Sequence, residues 1–438
     1  MPSRSVSTYY VLVATQALSM IGSRTSSLAV GIAVFRATGH ATPLALIAVF
    51  FALPWVLFGG LGGALADRFD RRTLMLAANV GYALASGLLL LAFASGAFSL
   101  WQLYALTIAN GVFNLVETPA LQASVAMLVP DAHRDRANAI QQLAYPASVV
   151  LAGAFAGVLY VAAGVTGAIL VDLATFAVAI AVLAVVRIPT PAPGPGDVQG
   201  AGALLALWRQ SFDGFRHLAA QGPLLALCVY IAVVSALAGG LFWALMTPYV
   251  LDRVHMTAVF GLVVAAGFSG AVAGALAMAA WGGARPRIHT VMIGILLAGA
   301  GMALFGMLRT PVPMAVALFL LTFAIPFANA ATFSIFQAKV APDRQGRVFA
   351  ALGQLISVLN PLASLAGGPL ADRVAEPAVA APGWRAVAWL VGDAPGAGIG
   401  LIYVAAGLAI VAVTLAFYAA PVFRRMEATL PDQAAVAA

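Results

Sequence analysis

Charge is scarce in this sequence. Only 8% of its 438 residues are Asp, Glu, Lys or Arg, while 63% are hydrophobic. A soluble domain carries about 25% charged residues, and this chain could not hide so much apolar surface from water. Cysteine is nearly absent. The single Cys228 excludes an internal disulfide and a cysteine-rich metal site. Lysine occurs once, as Lys339 after "SIFQA", so there is no glycine-lysine phosphate loop and no ATP drive within the chain. The five histidines fall at the edges of apolar runs or in loops, without metal or triad spacing. No enzyme, no cofactor and no metal is expected. Long segments outside the apolar runs are missing too. The longest, 188–222 and 372–397, are too short for a receptor or scaffold module.

What remains is apolar length. The mean hydropathy is +0.99, and the runs are too long, and too poor in alternation, for a barrel wall. The sequence predicts an all-α membrane protein of twelve spans. The first six lie near 9–35, 43–66, 73–94, 100–128, 138–160 and 165–187. The last six lie near 223–250, 257–282, 290–308, 313–339, 348–370 and 398–421. The domains are then a first bundle at 1–187, a linker region at 188–222, a second bundle at 223–422 and a tail at 423–438. With the N-terminus inside, sixteen of the 22 Lys and Arg are cytoplasmic, five are outside, and Arg24 lies within a span. This predicts a cell (inner) membrane protein with both termini cytoplasmic. The net charge of +7 then reflects topology and not nucleic acid. The first apolar run is long enough to remain as a span, and no cleavable signal peptide is read. The proline-rich "IPTPAPGPGDVQG", 188–200, reads as a linker. In the following "LLALWRQSFDGFRHLA", Leu204, Trp208, Phe212, Phe215 and Leu218 recur at helical spacing. That helix either lies on the membrane face or packs under the bundle.

The chain repeats itself after some 211–215 residues. Leu106, Thr107, Asn114 and Gln122 match Leu321, Thr322, Asn329 and Gln337, and Pro130–Asp131 matches Pro342–Asp343 after a three-residue gap. Two related six-span halves are the signature of alternating access by rocking of one half against the other.

The stretch "GGLGGALADRFDRRTLM", 59–75, sets five charges, Asp67, Arg68, Asp70, Arg71 and Arg72, between apolar runs. Gly63, Asp67, Arg68, Arg71 and Arg72, placed between the second and third spans, resemble the signature loop of the major facilitator superfamily. The "DRFDRR" form, with Asp70 where the family usually has glycine, resembles the subgroup of macrolide and enterobactin exporters. "VPDAHRDRANAIQQLAYPASVVLAGAFAG" and "GRVFAALGQLISVLNPLASLAGGPLADR" extend the resemblance over nearly the whole chain. It implies a conformational latch: Asp67 meets the start of the eleventh span near Arg347–Ala350, and the arginines help hold the cytoplasmic side shut. Gly59 and Gly63 would form a small-residue face for close helix approach. The alternative is that these arginines only enforce topology. Two departures stand out. The matching loop of the second half, "WGGARPRIHT", has no acid, and the fifth span has Ala154 where exporters often carry a glycine-proline motif. "GGPLADR", 367–373, imitates the signature, but span counting puts Asp372 outside, so Gly367, Gly368 and Pro369 read as a close-packed bend.

Three ionisable residues fall at membrane depth: Arg24, Glu117 and Asp172. Such residues mark function by default. Glu117 is the candidate proton carrier, with Arg24 tuning it; the competing reading is a static Arg24–Glu117 bridge. Asp172 reads first as a bond to a neighbouring helix. Asn110, Asn114 and Asn329 either contact substrate or join helices. The acids of the second half before Asp372, Asp252 and Asp343, are placed in loops. The expected function is secondary active, proton-coupled efflux of amphipathic small molecules (drug, macrolide or siderophore). The lipid bilayer, substrate and protons are its partners, and the chain is read as a monomer. A lipid or lysolipid flippase on the same fold, or a non-transporting receptor, is the alternative.

Overall fold

The structure is a computed structural model that describes residues 6–128, 134–186, 222–340 and 342–429. Within these ranges the side chains of 60–64, 66–68, 134–143 and 342–347, among others, lie outside the described set. The linker at 188–200, the amphipathic segment at 204–218, and the side chains of Gly63, Asp67, Arg68 and Arg347 are therefore not described. Among the described residues the chain is helical, with no strand.

The helices are α1 (Val6–Thr38), α2 (Thr42–Arg68), α3 (Arg71–Ala94), α4 (Leu100–Leu128) and α5 (Arg134–Val185). They continue as α6 (Gly222–Val254), α7 (Thr257–Trp281), α8 (Arg287–Met307), α9 (Pro311–Lys339), α10 (Pro342–Leu370) and α11 (Ala397–Ala419). Ten described helices are long and apolar enough to cross a membrane. One of them, Pro146–Val185, holds two spans, broken at Gly164 with φ 67° and ψ −168°; glycine tolerates that backbone and other residues do not. The helix outside that set is α4, which carries Asn110, Asn114 and Glu117. Twelve spans result, as the hydropathy pattern predicts.

Two boundaries differ from the sequence expectation. Asp252 lies in the last turn of α6 and Asp343 in the first turn of α10, so neither is a loop residue. Both helices run beyond their apolar runs, because backbone hydrogen bonding continues after the hydropathy signal has faded. Helix α6 also contains a π-helical turn at Ala236–Leu241, and α10 passes into another at Ala371–Ala375.

Contacts divide the chain into two units: Met1–Ala33 with Ile47–Arg209, and Val34–Leu46 with Gln210–Ala438. In the second unit, glycines set the spacing. A Cβ on Gly270 would fall 2.2 Å from the Phe319 carbonyl oxygen, and one on Gly274 would fall 2.1 Å from that of Phe323, so α7 and α9 touch backbone to backbone. Aromatic rings fill the other face. Tyr249, Phe305 and Tyr403 are fully buried around Phe242. The Tyr249 hydroxyl meets the carbonyls of Phe305, Gly306 and Leu308 at 2.9–3.0 Å, where α8 ends. Glu376 accepts from the Gly396 and Ile399 amides at 3.2 and 2.8 Å and so caps the start of α11.

The glycine contacts yield a stability prediction. Gly274→Ala forces α7 away from α9 at a cost of about 1–3 kcal/mol, read as a lower thermal midpoint in detergent. Gly87→Ala in α3, where a Cβ meets nothing within 4 Å, is the control and leaves the midpoint unchanged or slightly higher.

Candidate functional site

The polar groups of the first unit form two rungs between α1 and α3. In the first rung, the Glu117 carboxylate of α4 accepts from Gln16 Nε2 of α1 at 3.2 Å and from Asn79 Nδ2 of α3 at 2.7 Å. The same Asn79 amide donates to the Met75 carbonyl at 2.9 Å. Both its hydrogens are thus in use, while its buried Oδ1 has no partner among the described residues. Tyr82, one turn further along α3, reaches both Glu117 and Asn114. In the second rung, Asp172 of α5 accepts from Ser23 Oγ of α1 and Ser86 Oγ of α3, each at 2.8 Å.

The two rungs share one spacing. Gln16 and Ser23 are seven residues apart, and so are Asn79 and Ser86. Seven residues are two helical turns, about 10.5 Å along the axis, so each helix presents one polar stripe to both acids. The Tyr82 ring belongs to the stretch between the rungs. It stacks on Phe176, with centroids 5.5 Å apart and planes at 14°, and meets Phe113 edge-on at 5.5 Å. Glycines make room. A Cβ on Gly22 would lie 2.3 Å from the Thr175 hydroxyl oxygen, which brings α1 close enough for Ser23 to reach Asp172.

Both carboxylates are taken out of water by the surrounding helices: Asp172 is 4% exposed, and burial desolvates Glu117. Glu117 is held by neutral donors that can lose or regain a hydrogen bond without stranding a charge. Arg24 follows Ser23 directly on α1. Asn114 joins the Glu117 rung through Tyr82, and Asn110 has a buried Oδ1 with no partner among the described residues. Asn329 is exposed on α9, in the other unit. Asp172 joins α1 and α3 to α5 through Ser23 and Ser86. The residues that sequence reasoning missed are Gln16, Asn79, Tyr82, Ser23 and Ser86. Their one visible signal is a neutral polar side chain within an apolar run.

Two charged residues at the junction of α2 and α3 have defined partners. Asp70 caps α3: its carboxylate accepts from the Thr73 amide at 3.0 Å and the Thr73 hydroxyl at 2.7 Å. Arg72 turns to the end of α5, donating to the Leu183 carbonyl at 2.7 Å and to that of Ala184. A cation there meets unpaired carbonyls and the negative end of the helix dipole. Gly59 departs from expectation. The three atoms nearest a Cβ there belong to Trp55 of its own helix, at 3.6–3.7 Å, so among the described residues no neighbouring helix presses on it. In the second half, the tail supplies the acid that the matching loop lacks. Glu427 Oε1 accepts from the Ile288 amide at 2.6 Å, at the start of α8, and its carbonyl accepts from Lys339 Nζ at 2.5 Å.

The family model of the Major Facilitator Superfamily matches residues 12–364. The chain belongs to this family. Among curated relatives, Macrolide efflux protein A of Streptococcus pyogenes is 25% identical over 377 residues, covering 84% of this chain and 90% of its own length. The uncharacterized MFS-type transporter YfiS of Bacillus subtilis is 32% identical over 168 residues, 38% of this chain and 39% of its own. Among solved structures, an inward-facing, unoccupied bacterial homolog of the human lysosomal transporter Spinster superposes with a TM-score of 0.69 at 18% identity, over 95% of this chain and 97% of that one. The inward-open xylose transporter XylE of E. coli does so with a TM-score of 0.64 at 14% identity, over 97% and 100%. These likenesses show the fold: twelve helices in two bundles of the major facilitator type. The protein is a multi-pass membrane transporter.

The second rung is expected to be structural. Asp172→Ala removes the acceptor of two serines and lowers stability by about 1–3 kcal/mol, while Asp172→Asn retains an acceptor and loses less. Thermal unfolding of the purified variants measures the difference.

Proposed function

We propose that the chain is a proton-coupled exporter of amphipathic small molecules, with Glu117 as the proton carrier. One observation carries this reading: a membrane-depth carboxylate whose partners among the described residues, Gln16, Asn79 and Tyr82, are all neutral. An ionisable group within a span is costly to keep and functional by default. A cationic or hydrogen-bonding substrate would compete with the proton for the same oxygens, which couples the two fluxes. Arg24, adjacent to the Ser23 rung, tunes the charge balance of this stripe. Asn110 and Asn114 are the polar contacts offered to substrate from α4, and Asn329 is the one offered from α9. The similarity to macrolide efflux proteins supports the export direction and a large amphipathic substrate. The distribution of Lys and Arg supports cytoplasmic termini in a cell membrane. Neither feature favours lipid flipping.

The signature loop serves this cycle as a latch. Asp67 meets the start of α10 in the outward-facing state, with Gly63 allowing close approach and Arg68, Arg71 and Arg72 setting the helix ends. Asp67→Asn then shifts the resting population toward inward-facing, read as a change in labelling of introduced cysteines from the two sides of the membrane.

The central test is Glu117→Gln. Proton release from inside-out vesicles under an imposed pH gradient is recorded while macrolides, siderophores, lipophilic cations and lysolipids are added singly. The native protein dissipates the gradient with at least one class. Glu117→Gln inserts normally and loses this response. Coupling that survives the substitution removes Glu117 from the mechanism.

A further inference from the structure

The heptapeptide "GGPLADR" at 367–373 differs at one position from "GGALADR" at 62–68, and its acid has a defined partner. The Asp372 carboxylate accepts from the Ala41 amide at 2.8 Å, the Thr42 amide at 2.8 Å and the Thr42 hydroxyl at 2.5 Å. These are the first donors of α2, where the helix dipole favours an anion. His40 Nδ1 lies 4.0 Å from the same carboxylate. Two further contacts hold the same hairpin. A Cβ on Gly368 would lie 2.7 Å from the Thr42 Cα, and Arg36 Nη2 donates to the Thr257 hydroxyl at 2.5 Å, at the start of α7.

The hairpin is short but strategically placed. Residues Val34–Leu46 group with the second unit, while the rest of α1 and α2 groups with the first. A bond inside one bundle need never break. A bond that ties this hairpin to α10 is strained by any movement of α1 and α2 away from it. The contact is also suited to reversal. The Asp372 side chain is 12% exposed and His40 is 66% exposed, so water can replace the lost hydrogen bonds when they open. Several charge-assisted bonds on one carboxylate give a closed state that is firm without being permanent.

We infer that Asp372, seated on the first turn of α2, is a second latch, which closes the membrane face opposite the signature loop and must open once in each cycle. This rests on the alternating-access reading of the transporter. It does not depend on proton coupling or on Glu117.

Purified protein in detergent tests it, so neither the substrate nor the orientation need be known. Ala45 is 1% exposed and lies beneath the contact, beside Gly368. A thiol introduced by Ala45→Cys reports opening through its rate of alkylation, located by peptide mass spectrometry. The native Cys228, fully buried in the second unit, is the internal control for folding. Asp372→Ala in this background is expected to raise labelling at position 45 about tenfold, the population shift that loss of charge-assisted hydrogen bonds supports. Asp372→Asn, which keeps one acceptor oxygen, gives a smaller rise, and Arg36→Ala gives an independent one. In all variants Cys228 stays unreactive. Unchanged labelling at position 45 in Asp372→Ala and Arg36→Ala overturns the latch. So does a rise matched at Cys228, since that is general loosening of the bundle.

Discussion

A carboxylate within an apolar helix bundle has no water to solvate it, so its oxygens must find donors on other helices. Much of the first unit follows from this constraint. Glu117 and Asp172 arise on different helices, yet both draw their donors from α1 and α3. Those donors repeat at seven-residue spacing on each helix. Two acids thereby fix the rotation of four helix segments about their axes. Gly22 follows from the same demand, because Ser23 reaches Asp172 only if α1 lies against Thr175.

The second unit answers a different problem. Its spans carry few charges, and lipid provides no hydrophobic drive for one apolar helix to prefer another. Close contact is therefore achieved through bare backbone at Gly270 and Gly274 and through the Tyr249–Phe305–Tyr403 ring cluster. The first unit is drawn together by two acids with neutral donors, and the second by close backbone contact and packed rings.

Within each unit, helix ends are tied down by side chains. Asp70, Glu376 and Glu427 sit on starting turns, and Arg72 sits on a closing one. Asp372 applies the same physics to the hairpin between α1 and α2. The cluster of charges in "DRFDRR" is thus partly structural: Asp70 and Arg72 are already engaged by α3 and α5. A carboxylate at a helix start is a stable cap when cap and helix move together, and a switch when they do not.

The sequence by itself determined the class, the number of spans, the repeat and the position of the charged loop. These are linear properties. Apolar length, the breaks between runs and motif spacing are all written along the chain, and lipid translates length directly into span. Glu117 and Asp172 were legible for the same reason, since a charge in an apolar run stands out without any knowledge of neighbours. Gln16, Asn79, Tyr82, Ser23 and Ser86 were not, because a neutral polar residue on a helix gains meaning only from what faces it. The cap that Glu427 lends to Ile288 spans 139 residues of chain, and the contact between Asp372 and Thr42 spans 330. The tertiary structure alone decided those pairings: hydrogen bonds depend on which atoms come within about 3 Å, and separation along the chain does not encode that distance.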